Sequence, residues 1–337
     1  MTFDRVVIHE MPMPYAMAVL GVGPGAPVAC GTEDHGPVVR IDPPYLEARL
    51  LAAGPGGCMG LALDPGRPAD LYAIMGCFPG YRFQGGGIFR IRAGAEPERV
   101  LDLPFAHRIG FGERAGRRVL LAASLAADKK DAADWSEPGA VYAAEPDHDP
   151  ARLRLEPVLN GIHKNHGFLL SRFEGRSSLL IGAQEGLLAI DLEEPGPRWP
   201  VRVVLPDETS EVALLDVDGD GEAELLTIEP FHGNALRAYR RVSSGWTRFW
   251  EAELEFGHGL LAGAFLGGPS VLVSSRAGAR ELLLFQFDPS TPARPRRIVL
   301  ERGAGAANMA VVSHAGTDHV LSANQASGQI VRYTPRT

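Results

Sequence analysis

Short apolar segments of about five to eight residues recur along the chain, each bounded by clusters of glycine, proline and aspartate. The apolar spacing that marks an amphipathic helix is hard to find. Representative segments are PVVRI, LYAIM, RVLLAAS, SLLIGA and ELLLFQF. Apolar runs of this length between turn-forming residues predict β-strands, so the pattern indicates an all-β protein.

The predicted strands recur as a set. In each unit two apolar strands joined by a polar turn precede a third strand that follows a glycine, and a charged fourth strand completes the unit. The clearest units begin near Ala16, Met59, His107, His166, Glu211, His258 and Asn308. Successive starts lie about 43 to 59 residues apart, close to the roughly 40–50 residues of propeller repeats. We therefore predict a seven-bladed β-propeller of four-stranded blades, with residues 1–337 forming one domain.

The two ends of the chain complement each other. The seventh unit stops after QIVRYTPRT without a fourth strand, and the N-terminal segment FDRVVIHEM has the pattern of a fourth strand without a unit of its own. Pairing the two would complete the last blade, close the ring and remove exposed sheet edges. A pair of β-sandwiches or a β-helix is the alternative, but the repeat count and the closing strand favour the propeller.

Composition narrows the function classes. A formal net charge of -8 without a basic stretch argues against nucleic acid and anionic membranes as partners. No apolar run reaches the roughly 18–20 residues of a membrane helix, and the N-terminus lacks a secretory signal, so we expect a cytoplasmic protein. Three cysteines without a CxxC spacing argue against a disulfide framework. A small-molecule ligand is the expected partner, and the chain would act as a monomer or homodimer.

Histidines occupy two registers of the repeat. His107, His166 and His258 open the innermost strand of units three, four and six. His35 and His232 precede the glycine that opens the third strand in units one and five. In a propeller these two positions lie at the same end, so all five side chains are predicted to meet at the mouth of the central channel.

Neutral imidazoles that converge in this way suit Zn²⁺ or another divalent transition metal. His107, His166, His232 and His258 come from neighbouring units and are the predicted ligands. His35 would lie across the channel, where it could meet a substrate as an acid. The alternative is that these histidines are ordinary polar residues that line a wet channel.

The segment Gly161–Gly167, GIHKNHG, leads into the innermost strand of unit four and contains one of only three lysines in the chain. A nearby divalent cation disfavours the protonated form of a base. His163 and Lys164 are therefore predicted general bases or acids, and Asn165 a predicted substrate contact. A solvated loop is the alternative.

One turn in unit five has acidic residues at alternate positions. Asp216, Asp218, Asp220 and Glu224, interspersed with glycines, offer hard oxygen ligands of the kind that Ca²⁺ prefers. The turn resembles the FG-GAP or VCBS repeat of integrin-type propellers. We predict either a structural calcium site or a solvated turn, since the equivalent turns of the other units lack the acidic set.

The histidine-bearing segments PFAHRIGF, GIHKNHGFLL, EPFHGNALRAYRR and HGLLAGAF resemble the propeller domain of aldos-2-ulose dehydratase and its single-domain bacterial relatives. This resemblance implies a zinc at the floor of a cleft and the elimination of water from a keto sugar such as 1,5-anhydrofructose. Arg108, Arg276 and Trp135 would then contact the sugar. The chain has no room for the cupin and lectin domains of the fungal enzyme.

Two classes of function remain at this point. One is a zinc-dependent carbon–oxygen lyase, or a metal-dependent isomerase, that acts on a carbohydrate. The other is a non-catalytic FG-GAP-type propeller that binds a protein or a glycan. The metal content of the purified protein separates the two classes.

Overall fold

Seven four-stranded antiparallel sheets make up the fold, which confirms the propeller predicted from the repeat. They are seen in a computed structural model that describes residues 1–80, 82–146, 153–196 and 198–336. No helix within these ranges is long and apolar enough to cross a membrane.

The first four blades follow one another along the chain, each running from its innermost to its outermost strand. Blade 1 contains β2 (Pro14–Val19), β3 (Val28–Thr32), β4 (Val38–Ile41) and β5 (Ala48–Ala52). Blade 2 contains β6 (Gly60–Leu63), β7 (Leu71–Met75), β8 (Gly87–Ile91) and β9 (Glu98–Asp102). Blade 3 contains β10 (Ala106–Arg114), β11 (Arg117–Ala126), β12 (Pro138–Ala144) and β13 (Glu156–Ile162). Blade 4 contains β14 (Gly167–Phe173), β15 (Arg176–Ala183), β16 (Gly186–Asp191) and β17 (Val201–Leu205).

The last three blades complete the ring. Blade 5 contains β18 (Glu211–Leu215), β19 (Glu224–Glu229), β20 (Ala235–Val242) and β21 (Gly245–Glu253). Blade 6 contains β22 (Gly257–Phe265), β23 (Gly268–Ser275), β24 (Leu282–Gln286) and β25 (Arg296–Glu301). Blade 7 contains β26 (Ala306–His314), β27 (Thr317–Asn324), β28 (Gln329–Pro335) and the N-terminal strand β1 (Phe3–Glu10), and a short 3-10 helix (Gln325–Ser327) precedes β28.

The ring closes as predicted. Strand β1 pairs antiparallel with β28, from Phe3 opposite Pro335 to Glu10 opposite Gln329. Each innermost strand contacts the innermost strand of the next blade, and β26 of blade 7 contacts β2 of blade 1. The fourth strand of blade 3 begins later than the segment RLRLEPVL predicted, and the first residue of that segment, Arg152, lies outside the described residues.

The hydrophobic core lies between neighbouring blades. Middle strands are buried throughout, as in β3 and β7, whereas the outermost strands such as β9 are largely exposed. Leu121 of blade 3 and Ile181 of blade 4, both fully buried, belong to one cluster of this kind. Because both faces of each middle strand are covered, the sheets hold the ends of the innermost strands at fixed positions around the channel.

Irregular pairing marks the beginning of several innermost strands. The register with the second strand shifts at Tyr15 in β2, at His107 in β10, next to His258 in β22 and at Ala307 in β26. An extra residue at such a bulge turns a side chain or a carbonyl away from the regular sheet direction. The bulges therefore bring these groups to one end of the channel.

Candidate metal centre

A cavity of about 330 Å³ opens at the end of the propeller where the innermost strands begin. Its lining includes His107, His166, His232 and His258. A larger groove of about 730 Å³ lies at the other end of blades 3 and 4, and none of its described lining residues is a histidine. The smaller cavity is the candidate site because the metal-ligating side chains converge there.

All four predicted ligand histidines lie together. The ring centroids are 4.6 Å apart for His107 and His166 and 4.8 Å apart for His166 and His232. His258 lies 5.2 Å from the rings of both His166 and His232. His107, His166 and His258 are buried and His232 is half-buried, so the cluster is shielded from bulk water.

Three of the four histidines form a group that could hold a metal ion. Ring nitrogens of His166, His232 and His258 all lie within 4.8 Å of one another. The Nε2 atoms of His166 and His232 are 3.3 Å apart. Two nitrogen ligands about 2.0–2.1 Å from a tetrahedral zinc are about 3.4 Å apart, so this pair fits the ion. Three imidazoles also leave a fourth position open, which is the arrangement of catalytic zinc sites.

A carboxylate sets the orientation of His166. Glu211 Oε1 lies 2.6 Å from His166 Nδ1 and 2.6 Å from Arg108 Nη2. Arg108 Nε also donates to the backbone carbonyl of His166, at 2.8 Å. Arg108 Nη2, which can only donate, also lies 3.2 Å from His166 Nδ1 and 3.4 Å from His166 Nε2. A carboxylate beside Nδ1 favours the tautomer that carries its hydrogen there, and this tautomer keeps the Nε2 lone pair for a metal. The Arg108–Glu211 pair therefore fixes the position of His166.

His258 is prepared in a similar way by the backbone of blade 7. Its Nδ1 lies 3.0 Å from the carbonyl oxygen of Ala307, which can only accept a hydrogen bond. The Tyr15 hydroxyl lies 3.2 Å from the Nε2 atoms of both His258 and His107. His107 Nδ1 is buried and has no hydrogen-bond partner among the described residues. His107 thus lies beside the three-histidine group and is linked to His258 through the Tyr15 hydroxyl, but it is not a member of the group.

His232 reaches the cluster from the loop between β19 and β20. Its backbone has a φ of 47°, in the left-handed region that residues with a side chain rarely adopt. The next residue must be small, because a Cβ on Gly233 would lie 2.2 Å from the backbone of Glu229. His232 N donates to Ser210 Oγ at 3.1 Å, which fixes the loop to the start of blade 5.

Burial keeps the cluster uncharged. Burial, assisted by the positive charges of Arg108 and Arg276, lowers the pKa of His107, His166 and His258 well below 6.5. The same two causes lower the pKa of His232 to about 3. Neutral imidazole is the form that binds a metal, so protons do not compete for these nitrogens near pH 7.

Charged side chains line another part of the cavity. Glu33 and Arg276 both face it, from the loops that follow β3 and β23. Gln325 lies between them: its amide nitrogen donates to Glu33 and its amide oxygen accepts from Arg276. Burial raises the pKa of Glu33. A carboxyl group that changes protonation closer to neutral pH is suited to moving protons.

Aromatic side chains cover the remaining wall. Trp135, Phe231 and Phe256 line the cavity, and the rings of Trp135 and Phe231 pack edge-on at 5.1 Å. The Lys129 ammonium lies 3.1 Å from the Trp135 ring centroid and also 3.3 Å from the carbonyl oxygen of Ala132. The long loop after β11 thus places the predicted sugar contact Trp135 at the cavity, with Lys129 behind it.

Three predicted acid–base residues lie away from the cavity lining. His35 is exposed and stacks on Phe78, with ring centroids 4.0 Å apart, so it does not join the other histidines. His163 pairs with Glu185 at 2.7 Å, and Lys164 pairs with Glu208 at 2.9 Å. None of the three lines the cavity, so the role predicted for them does not fit their positions.

Two predicted substrate contacts also have other partners. Arg108 is bound by Glu211 and the His166 backbone and does not line the cavity, whereas Arg276 does. Asn165 is fully buried, and its amide nitrogen donates to the carbonyl oxygen of Ser124 at 3.3 Å. Both residues therefore hold the start of β14 in place.

The acidic turn of blade 5 is compact. Carboxylate oxygens of Asp216, Asp218 and Glu224 lie within 4.8 Å of one another, and Asp220 is not part of this group. Asp216 accepts hydrogen bonds from the backbone of Gly219 and Gly221, at 2.6 and 3.0 Å. The turn is thus ordered by its own backbone contacts, and calcium binding there remains a prediction.

Four polar residues of the site were not predicted from the sequence. They are Tyr15, Glu33, Glu211 and Gln325. Tyr15 and Glu211 stand at the beginning of innermost strands, the register that identified three of the histidines. Glu33 and Gln325 follow second strands, as Arg276 does. Applying the first register to every polar residue would have found Tyr15 and Glu211, whereas Glu33, Gln325 and Arg276 share a third position, the first residue after the second strand.

Comparison with known proteins supports the architecture. No family model matches the chain, and no curated protein matches its sequence. Among solved structures, the Cps50 (Swd1) β-propeller domain of Myceliophteria thermophila is similar over 99% of this chain and 100% of its own, with a TM-score of 0.63 and 12% identity. The GH74 enzyme of Niastella koreensis has a TM-score of 0.58 and 14% identity over 96% of this chain and 53% of its own.

A third similar structure is a putative 6-phosphogluconolactonase of Bacteroides fragilis, with a TM-score of 0.55 and 11% identity over 95% of this chain and 93% of its own. The chain is a seven-bladed β-propeller. At identities this low the likeness shows the fold alone, and propellers of this shape carry unrelated functions. The function has to be argued from the site.

Proposed function

We propose that the protein is a zinc-dependent carbon–oxygen lyase that removes water from a keto sugar. The observation that carries the proposal is the convergence of three uncharged imidazoles, on His166, His232 and His258, at the wall of a cavity. Glu211 and the Ala307 carbonyl lie beside the Nδ1 atoms of two of these rings, which favours hydrogen on Nδ1 and a free lone pair on Nε2. Bound there, a zinc ion would polarise a carbonyl oxygen and stabilise the negative charge formed when the neighbouring carbon loses a proton.

The proton transfers fall to Glu33. Its carboxylate would take the proton from the carbon next to the carbonyl. The electron pair of the broken carbon–hydrogen bond would then form a carbon–carbon double bond to the following carbon. The hydroxyl on the following carbon would leave with its bonding electrons and take the proton back from Glu33, so that water departs. A carboxyl group with a raised pKa can serve both steps near neutral pH.

The shape of the cavity supports a sugar-sized substrate. Its volume of about 330 Å³ lies at the small end of the roughly 300–1,000 Å³ of ligand pockets. Trp135 and Phe231 offer apolar rings for the carbon face of a sugar. Arg276 and Glu33 line the same cavity and offer polar contacts for its oxygen atoms.

Metal content tests the proposal. We expect about one zinc per chain by mass spectrometry of the elements in wild-type protein, and loss of that zinc in His166→Ala and His232→Ala. His163→Ala is the matched control, since His163 pairs with Glu185 outside the cavity and its loss should leave zinc in place. A folded wild-type protein that neither carries nor takes up a transition metal would falsify the enzyme proposal.

The reaction has its own assay. Incubation of the zinc-loaded protein with 1,5-anhydrofructose should produce the ultraviolet absorbance of a conjugated enone. An isomerised product without this absorbance would replace the lyase with an isomerase. No reaction would exclude this substrate, while the zinc measurement still decides on the metal centre.

A further inference from the structure

Arg276 is a cavity-lining arginine without a carboxylate partner among the described residues. It lines the cavity, and its hydrogen-bond partner there is the neutral amide of Gln325. Within the described ranges no carboxylate lies within 4.0 Å of its guanidinium, whereas Arg90 pairs with Glu98 and Arg108 with Glu211. A cation in a partly dry cavity is stabilised when an anion joins it, so the site is prepared for a negative group.

Glu33, the carboxylate among the described lining residues of the cavity, does not pair directly with Arg276. Gln325 separates Arg276 from Glu33 by bonding to both, so the two charges do not pair directly. Burial favours the neutral form of Glu33, which weakens its compensation further. The backbone of Arg276 is fixed, since its N–H donates to the carbonyl of Phe256 at 2.9 Å.

The position of Arg276 places the negative group close to the metal centre. Its guanidinium carbon lies 6.0 Å from the Tyr15 ring centroid, and the Tyr15 hydroxyl touches His107 and His258. The histidines are neutral, so a divalent cation on them would add positive charge that no described cavity carboxylate other than Glu33 offsets. An anionic substrate is thereby favoured over a neutral one.

We propose that Arg276 binds a carboxylate of the substrate, which is therefore an acidic keto sugar of the ulosonate or uronate class. The inference rests on the proposed function and names the substrate class of the same site. A single guanidinium presents two parallel N–H groups that match the two oxygens of a carboxylate. The proton transfers assigned to Glu33 are unchanged, since the acid group lies beside the reacting carbons.

A matched pair of ligands tests the inference by binding alone. D-arabino-hex-2-ulosonate and D-fructose share the ketone and the four hydroxyl-bearing carbons, and differ in a carboxylate against a hydroxymethyl group. Titration calorimetry on the zinc-loaded protein should give about 10–100-fold tighter binding of the ulosonate, the range of a charge-assisted hydrogen-bonded pair.

Variants locate the source of the preference. Arg276→Gln should remove most of the difference and change fructose binding less than about threefold, and Arg276→Lys should retain part of it. Arg117→Gln makes the same change of charge at an arginine whose side chain is 78% exposed, at the first residue of β11, and should bind both ligands as wild type does. Thermal unfolding confirms that each variant is folded.

The outcomes separate the inference from the proposed function. Equal affinity of the wild-type protein for the two ligands, no ulosonate binding at millimolar concentration, or an unchanged preference in Arg276→Gln each overturns the role of Arg276. A zinc-loaded protein that fails in these ways still retains its metal centre. An ulosonate preference in a protein that binds no metal would instead overturn the lyase and leave the carboxylate contact standing.

Discussion

Replacing Glu211 by glutamine tests whether the proposed metal centre depends on the residues behind its candidate ligands. Glu211 Oε1 lies 2.6 Å from His166 Nδ1 and 2.6 Å from Arg108 Nη2. Glutamine has nearly the same shape but no charge, so it weakens both contacts without opening a large cavity. The change removes the carboxylate beside His166 Nδ1 and leaves Arg108, with a side chain only 15% exposed, without an anion.

The expected magnitude follows from these contacts. Loss of a carboxylate behind a ligating histidine costs about 10–100-fold in metal affinity. This corresponds to about 1.4–2.7 kcal/mol of binding free energy. The effect should appear in the dissociation constant for zinc, because His166, His232 and His258 themselves remain in place.

The assay is competition for zinc against a chromophoric chelator of known affinity. Glu185→Gln is the matched control: Glu185 also has a carboxylate oxygen beside a histidine Nδ1, at 2.7 Å, but that histidine is His163, outside the cavity. Denaturant unfolding of the metal-free variants separates loss of affinity from loss of fold. Wild-type affinity in Glu211→Gln, or an equal loss in Glu185→Gln, would refute the reasoning.

Three further predictions concern the loop, the thiols and the ring. Burial lowers the pKa of Lys129 to about 8, and its ammonium lies against the Trp135 ring. The tryptophan fluorescence of wild type should therefore change around pH 8, and that of Lys129→Met should not. An identical transition in both proteins would count against the Lys129–Trp135 contact. The folded protein then binds fewer protons than the unfolded chain between about pH 8 and 10.5, so Lys129 should make stability rise with pH there, and denaturant titrations of both proteins measure this. All three cysteines are buried with raised pKa values, so a thiol reagent at pH 8 should modify none until the protein is denatured; rapid modification of the native protein contradicts this. Deleting residues 1–10 should lower Tm and promote aggregation by exposing the edge of β28, and an unchanged Tm would show that ring closure contributes little.

Much of the fold could be predicted because each blade repeats the same pattern of burial. Middle strands such as β7 are apolar along their whole length, and this made the units visible. The closing strand was identified because the C-terminal unit lacked a fourth strand and the N-terminal segment had the pattern of one. Strand β1 does pair with β28. These features are encoded in short stretches of sequence, where strand periodicity and turn residues act locally.

The individual roles in the site were harder to predict. Arg108 and Glu211 are 103 residues apart, and no local pattern indicates that they pair. His35 has the register of His232, but its ring stacks on Phe78 instead of reaching the cluster. Register fixes the end of the propeller at which a side chain lies, whereas its direction depends on neighbours from other blades.

The candidate metal ligands and the charged residues of the cavity come from different blades. The three candidate ligands come from blades 4 to 6, beside His107 of blade 3. The chain of contacts from Glu33 through Gln325 to Arg276 runs instead through blades 1, 7 and 6. Under the proposed function, a substrate that meets both sets would place its carbonyl toward the histidines and its acid group toward blades 6 and 7. Because the second set lies outside the β-strands, changes there would alter which acid is bound while the innermost strands keep the candidate metal ligands in place.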